Sequence, residues 1–156
     1  MDRIDRRILA ELQRDARQTN TELAQRVNLT ESPCLRRVRK LERDGFIERY
    51  QAVLDRDKLG FGCQVFVTVT MRTEDRATIA AFERQVTALP HIIEAHRLFG
   101  DSDYLLRVAV ADVDAYQRFY SQVLTGLPGI ENLTSHLTMQ RVKENRGLPL
   151  TDDPTA

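Results

Sequence analysis

Residues 19–45, TNTELAQRVNLTESPCLRRVRKLERDG, constrain what this chain can fold into more than any other stretch. They spell two helices joined by a tight turn. Thr19 and Glu22 have the spacing of a capping box, in which the hydroxyl and the carboxylate each satisfy an orphan backbone donor. Leu23, Ala24 and Val27 then fall on one side of a short helix. Asn28 tolerates the left-handed backbone that ends a helix. Thr30 offers the next N-cap, and Pro33 suits a first turn because its missing N–H has no intrahelical partner to lose. The second helix is predicted to run to about Asp44, with Gly45 as its stop.

The two sides of that second helix differ in chemistry. At about 100° per residue, Cys34, Val38 and Leu41 share one face, with Leu35 on its shoulder. Ser32, Pro33, Arg36, Arg39, Lys40 and Arg43 fall on an opposite arc about 120° wide, bordered by Arg37. A helix that reads the major groove needs this division. Its small polar start approaches base edges, its apolar side grips a neighbouring helix, and its basic flank meets phosphate. A solvated charged face would look similar. The helix-turn-helix spacing tips the balance towards nucleic acid.

Net charge is zero, but it is unevenly spread. Residues 1–50 hold 12 Lys/Arg against 9 Asp/Glu, and residues 51–156 hold 11 against 14. The basic excess therefore lies in the half with the two-helix pattern. So small an excess would hold DNA weakly in a monomer, so oligomers that multiply phosphate contacts are expected. Cys34 sits on an apolar helix face and Cys63 opens a strand-like run; both read as buried free thiols. Met1-Asp2-Arg3 leads straight into an amphipathic helix without a signal-peptide pattern, and no apolar run approaches membrane-spanning length. A cytoplasmic protein with no membrane partner is expected.

The remaining elements follow in order. Residues 2–14 form a first helix capped by Asp2, with Asp5 near its positive end and Ile4, Ile8, Leu9 and Leu12 as its buried stripe. A small core of Ile8, Leu12, Leu23, Val27, Val38 and Leu41 results. Residues 47–54, IERYQAVL, read as a strand, either a wing or a connecting ribbon. Residues 55–62 read as a turn-rich linker. From Cys63 the period changes to two, over CQVFVTVTMR. Residues 76–89 return to helical spacing, followed by strand-like IIEAHRLF, a turn at Gly100–Asp103, strand-like YLLRVAV, a helix capped by Asp112, and a last strand over 131–142.

The fold class is α+β. A three-helix, plain or winged helix-turn-helix domain (1–54) is joined through 55–62 to a ferredoxin-like βαββαβ domain (63–143), with a polar tail at 144–156 that is loose or a final arm. Such a sheet carries helices on one face only. The bare face displays either the Val65/Val67/Val69 or the Phe66/Thr68/Thr70 set, and calls for a second copy packed sheet to sheet as a two-fold dimer.

Asp2-Arg3-Ile4-Asp5-Arg6-Arg7-Ile8-Leu9, Glu22-Leu23-Ala24, residues 29–38 (LTESPCLRRV) and 41–47 (LERDGFI), Gly100-Asp101-Ser102-Asp103-Tyr104-Leu105-Leu106 and Leu127-Pro128-Gly129-Ile130 together resemble the Lrp/AsnC, or feast/famine, family of bacterial and archaeal transcription regulators. The resemblance covers nearly the whole chain. It implies double-stranded DNA as partner; Thr30, Glu31, Ser32, Pro33, Arg36, Arg37, Arg39, Lys40 and Arg43, at the start and on the basic side of the second helix, are the expected interface. It also implies homodimers that assemble into octamers, and a small-molecule effector, most often an amino acid, held between C-terminal domains at a subunit interface.

For that effector, the connection Gly100–Tyr104 is the best candidate on residue chemistry. Its glycine permits close backbone approach, turn N–H groups can cradle a carboxylate, and Asp101 and Asp103 can accept from an ammonium group. Gly-Asp-Ser-Asp is equally an ordinary hairpin turn. By position, the resemblance adds Arg97, Asp103, Val113, His136, Leu137 and Thr138, where leucine-responsive members are sensitive to substitution. Arg97, Val113 and His136 depart from those members, which puts leucine itself in doubt. His91, His96 and His136 lack metal-ligand spacing, and no nucleophile–base–orienter set or phosphate loop is present, so neither a metal, a cofactor nor an enzymatic activity is expected.

Overall fold

The computed structural model describes residues 1–73, 75–145 and 147–150. The chain divides into two compact units. One comprises residues 1–53 with the described residues from 143 onward, and the other residues 54–142.

The first unit is helical. Helix α1 (Arg3–Arg14) starts at a reciprocal capping box in which Asp2 accepts from the Asp5 amide and Asp5 from the Asp2 amide. Helix α2 (Asn20–Arg26) starts at the predicted Thr19–Glu22 box and ends at Asn28, whose φ of 57° is the left-handed stop read from the sequence. Helix α3 (Glu31–Arg43) ends at Asp44 and Gly45, the latter at φ 77°. Ile8, Leu23, Ala24, Val27, Cys34 and Leu41 are buried, with Leu12 and Val38 only half-buried beside them. Ala24 and Cys34 thus take the fully buried places expected for Leu12 and Val38.

Residues 47–54 form no strand with any described segment, contrary to the sequence reading. A strand needs a neighbouring edge for its N–H and C=O groups, and no described segment of the chain pairs with this one. Val53 is 96% exposed, and the segment is anchored instead by Tyr50, whose hydroxyl donates to Glu42 Oε1 at 2.8 Å. Further on, Gln13 Nε2 donates to the Leu148 carbonyl at 3.1 Å, and the Leu148 amide donates back to Gln13 Oε1 at 2.6 Å. Gly147 precedes this clasp at φ 90°, where a Cβ would lie 2.2 Å from the same Oε1. The described part of the tail is therefore an arm laid on α1.

The second unit has the expected βαββαβ order: β1 (Cys63–Met71), α4 (Arg76–Ala88), β2 (Ile92–Arg97), β3 (Tyr104–Val110), α5 (Val113–Gln122), a single 3-10 turn (Leu124–Gly126) and β4 (Ile130–Leu137). The sheet runs β2-β3-β1-β4 with every neighbouring pair antiparallel. Strand β4 stops five residues short of the sequence expectation, at Leu137 rather than 142, although the Thr138 amide still reaches the Gln64 carbonyl.

Strict alternation along β1 sends Cys63, Val65, Val67, Val69 and Met71 into the core. There they meet Phe82 and Val86 of α4, Phe119 of α5, and Tyr104, Leu106, Val108 and Val110 of β3. Burying one such large side chain contributes about 1.5–3 kcal/mol, so this side of the sheet holds the unit together. The phase left open by the sequence is settled: Phe66, Thr68 and Thr70 point away from the helices. Gly129 closes the last turn at φ 75°, where a Cβ would lie 2.2 Å from Thr78 Cγ2 and 2.9 Å from Met71 Cε. Both cysteines are free and buried, and burial pushes each thiol above its ordinary value.

Candidate functional site

Helix α3 is about 20 Å long at 1.5 Å per residue, and a major groove admits such a helix. Its start is fixed to α2 rather than by its own cap. Thr30 has the extended backbone of an N-cap, but its hydroxyl makes no capping bond, contrary to expectation. The Glu31 carbonyl accepts from Asn20 Nδ2 at 2.9 Å, and Glu31 Oε1 accepts from the Thr21 hydroxyl at 2.9 Å. Glu31 is thus the polar clasp of the helix pair, with one of its carboxylate oxygens engaged. The sequence reading missed Asn20 and Thr21 in this role, though their place in the first turn of α2, opposite α3, was available as a signal.

The cationic residues of α3 separate into two kinds. Ser32, Arg36, Arg39 and Lys40 are exposed, with Pro33 half-buried beside them. Among the described residues Arg36, Arg39 and Lys40 make no ion pair, so their charges are available to a polyanion. Arg43 is exposed but pairs with Asp44, through Nε at 3.0 Å and Nη2 at 2.9 Å. Arg37 departs from its expected place on the phosphate-binding border. Its Nη1 donates to Asp2 Oδ2 at 2.6 Å and to Asp5 Oδ1 at 2.7 Å. The Asp5 amide and the Arg37 guanidinium hold the Asp2 carboxyl below the usual carboxylate range, and the two carboxylates raise the Arg37 pKa in turn. The signal for this arrangement was Asp-x-x-Asp at the start of α1, where both carboxylates face one way and invite a cation.

The expected effector residues occupy two places. Arg97 pairs with Tyr104 across the β2–β3 ladder, so Arg97, Gly100, Asp101, Asp103 and Tyr104 gather at one end of the sheet. His136, Leu137 and Thr138 lie at the other end. Val69 is opposite Tyr104 and Leu133, whereas Val65 is opposite Val108 and Leu137. Four residues of strand separate these positions, about 13 Å at 3.3 Å each. Val113 follows β3 at the same end as Leu137. One chain therefore does not bring the two groups together.

The first group also behaves differently from its sequence reading. Asp103 Oδ2 accepts from the Met71 amide at 2.6 Å, and the Asp103 amide donates to the Val69 carbonyl at 2.9 Å. Asp103 is a clasp on the end of β1, with that oxygen already engaged. Tyr104 is buried, stacks at a tilt on Phe82 with centroids 4.6 Å apart, and donates to Glu83 Oε1 at 2.8 Å. Burial, then the bond to Glu83, pushes its phenol up to about 12. It is a core residue. Arg97, Gly100, Asp101, Val113, His136 and Leu137 are exposed, while Thr138 is half-buried with its hydroxyl shielded and unpartnered among the described residues.

The helix-free face adds a cluster that the sequence did not reveal. Glu94 Oε2 lies 2.7 Å from Arg107 Nη2, and Glu94 Oε1 lies 2.7 Å from His96 Nε2. These residues surround Leu105 on the same face as Phe66, Thr68, Thr134 and His136.

Residues 1–48 match a family model described as winged helix-turn-helix DNA-binding, and residues 64–148 match the Lrp/AsnC ligand binding domain. The chain is 42% identical over 148 residues to the leucine-responsive regulatory protein of Escherichia coli (strain K12), covering 95% of this chain and 90% of that one. It superposes with a TM-score of 0.92, at 33% identity, on a transcriptional regulator of Neisseria meningitidis in complex with L-Met, covering 96% and 97% of the two chains. An AsnC family transcriptional regulator from Agrobacterium tumefaciens gives 0.91 at 38% identity, again covering 96% and 97%. A helix-turn-helix unit joined to a ligand-binding sheet unit defines a DNA-binding transcription regulator with a ligand-binding domain. The chain belongs to the Lrp/AsnC family. Among the described residues, no helix is long and apolar enough to cross a membrane.

Proposed function

We propose that this protein binds operator DNA as a dimer or larger assembly and that an amino acid, held where subunits meet, changes that binding. The observation that carries the DNA half is the set of unpaired cations Arg36, Arg39 and Lys40 on the exposed side of α3. Ser32, Pro33 and Arg36 lie nearest the base edges, and Thr30, Arg39 and Lys40 meet phosphate. Gel-shift titration at two salt concentrations tests it, since log affinity falls by about 0.9 per phosphate contact for each unit of log salt. Salt-independent binding overturns it.

The open face of the sheet supports the assembly. Phe66 and Leu105, with the Glu94–Arg107 pair, form a surface that two copies cover by packing sheet to sheet. Such a dimer carries two reading helices to two half-sites. The split effector group supports a pocket between subunits, since residues from one end of a sheet can be completed by those from the other end in a neighbour. Four dimers in a ring are the extended form of this assembly. An amino acid fits because exposed turn amides and Asp101 offer partners for a carboxylate and an ammonium group. Thermal-shift screening against the twenty amino acids tests it, because a ligand held only by the folded form raises the melting temperature. No shift with any of them overturns the effector half and leaves the DNA half standing. No catalytic step enters this reading.

A further inference from the structure

We infer that Asp2, Asp5 and Arg37 form an ionic anchor that fixes the rotation of α3 about its own axis, and so decides which of two adjacent arginines faces DNA. Arg36 and Arg37 are neighbours in sequence, about 100° apart around the helix. A rotation by one residue would exchange them, and composition alone favours neither. Asp5 breaks the tie. It is buried at 7% exposure, the single charged side chain so placed among the described residues. A buried carboxylate must be paired or fully hydrogen-bonded.

Each carboxylate divides its oxygens in the same way. Asp2 Oδ1 and Asp5 Oδ2 close the capping box of α1, which leaves Asp2 Oδ2 and Asp5 Oδ1 for Arg37 Nη1, at 2.6 and 2.7 Å. One guanidinium nitrogen therefore holds the beginning of α1 against the middle of α3. Apolar contacts alone would fix this rotation weakly. Cys34 and Leu41 are buried, but Val38 is half-buried and Leu35 is 38% exposed, so the greasy side of α3 tolerates some roll. A paired charge does not, because rolling would strand Asp5. With Arg37 held sideways against the start of α1, Arg36, Arg39 and Lys40 face outward as one set. Arg37 is thus a positioning residue that adds no phosphate contact of its own.

The inference rests on α3 being the reading helix, and the test separates the two. Operator and random duplex are titrated with the full chain over a range of salt. Lys40→Ala should lower the salt slope by about 0.9, and Arg36→Ala should lower the ratio of operator to random affinity. If neither changes anything, α3 is not the reading helix, and the anchor loses its function with it. If both respond, Asp5→Asn decides the anchor: the operator-to-random ratio should drop about tenfold, the low end of what one well-placed base contact supplies, with random binding and salt slope unchanged. The double variant Asp5→Asn/Arg37→Gln leaves no stranded charge and keeps a hydrogen-bonded pair. It should regain most of the ratio at the wild-type slope. A slope reduced by about one unit in the double variant would make Arg37 a phosphate ligand and overturn the anchor. An unchanged ratio in a folded Asp5→Asn protein would do the same. Should Asp5→Asn fail to fold, the double variant carries the test alone.

Discussion

The two units assemble their candidate sites in opposite ways. In the helical unit, the candidate DNA-facing residues lie on α3 and its N-cap Thr30, within about 20 Å, so one short stretch of chain carries them all. In the sheet unit, the candidate effector residues sit at two ends of one sheet, and part of them are already spent on the fold. A surface written on a helix is local, because i, i+3 and i+4 share a side whatever lies beyond. A pocket made where strands end is non-local, and in the function proposed above it needs a neighbour to be whole. The first kind of site can be read from spacing, and the second only from an assembly.

Destabilising the sheet unit breaks or sharpens that contrast most strongly. Phe82 is fully buried beneath Tyr104, so Phe82→Ala should cost that unit about 3–5 kcal/mol. Calorimetry should show a sheet transition that moves down and a helical transition that stays. A single transition moving as a whole would mean that the units melt as one block. Next in size, Arg36→Ala should weaken operator binding by about 1–3 kcal/mol and relax base preference, whereas Lys40→Ala should weaken all sequences alike. Equal losses on operator and random duplex for both variants would dissolve the distinction between base-facing and phosphate-facing residues.

Gly129→Ala should destabilise the sheet unit by more than about 1 kcal/mol, since a positive φ and a crowded Cβ act together. Chemical denaturation would reveal it; an unchanged midpoint would mean that Thr78 and Met71 yield freely. The smallest expected effect is alkaline. Burial, then hydrogen bonds to Glu42 and Glu83, push the phenols of Tyr50 and Tyr104 up to about 12. A phenol raised in the folded state stabilises it fully below the unfolded value near 10, and that contribution is lost as pH rises towards 12. Tyr104→Phe should flatten the sheet unit's share of this decline and cost about 1 kcal/mol at neutral pH, while Tyr50→Phe should act on the helical unit alone. Cross-effects would show the units to be coupled.

The legible parts were those encoded by short-range rules. Asn28, Gly45, the Thr19–Glu22 box and the alternation of β1 each act within a few residues, and each stands where the sequence put it. The fold class followed from their order. The strand expected at 47–54 failed because strandness depends on an edge to pair with, which no stretch of eight residues contains. Arg37 was misplaced because helical angle alone cannot say whether a border residue meets solvent or a carboxylate from another helix; Asp5, 32 residues away, decides it. Asp103 and Tyr104 looked like ligand-binding chemistry because an acid and a phenol beside a glycine can serve a ligand or a fold equally well. Their true partners, the Met71 amide and Glu83, lie 32 and 21 residues back.

The arm at Gly147–Leu148 has a consequence for biosynthesis. The three helices leave the ribosome before the sheet unit and can close around Ile8 and Cys34 ahead of it. The clasp on Gln13 comes from residues made only after the whole sheet unit has been translated. The helical unit is therefore started before the ligand-binding half and completed after it, with that half inserted between the two parts.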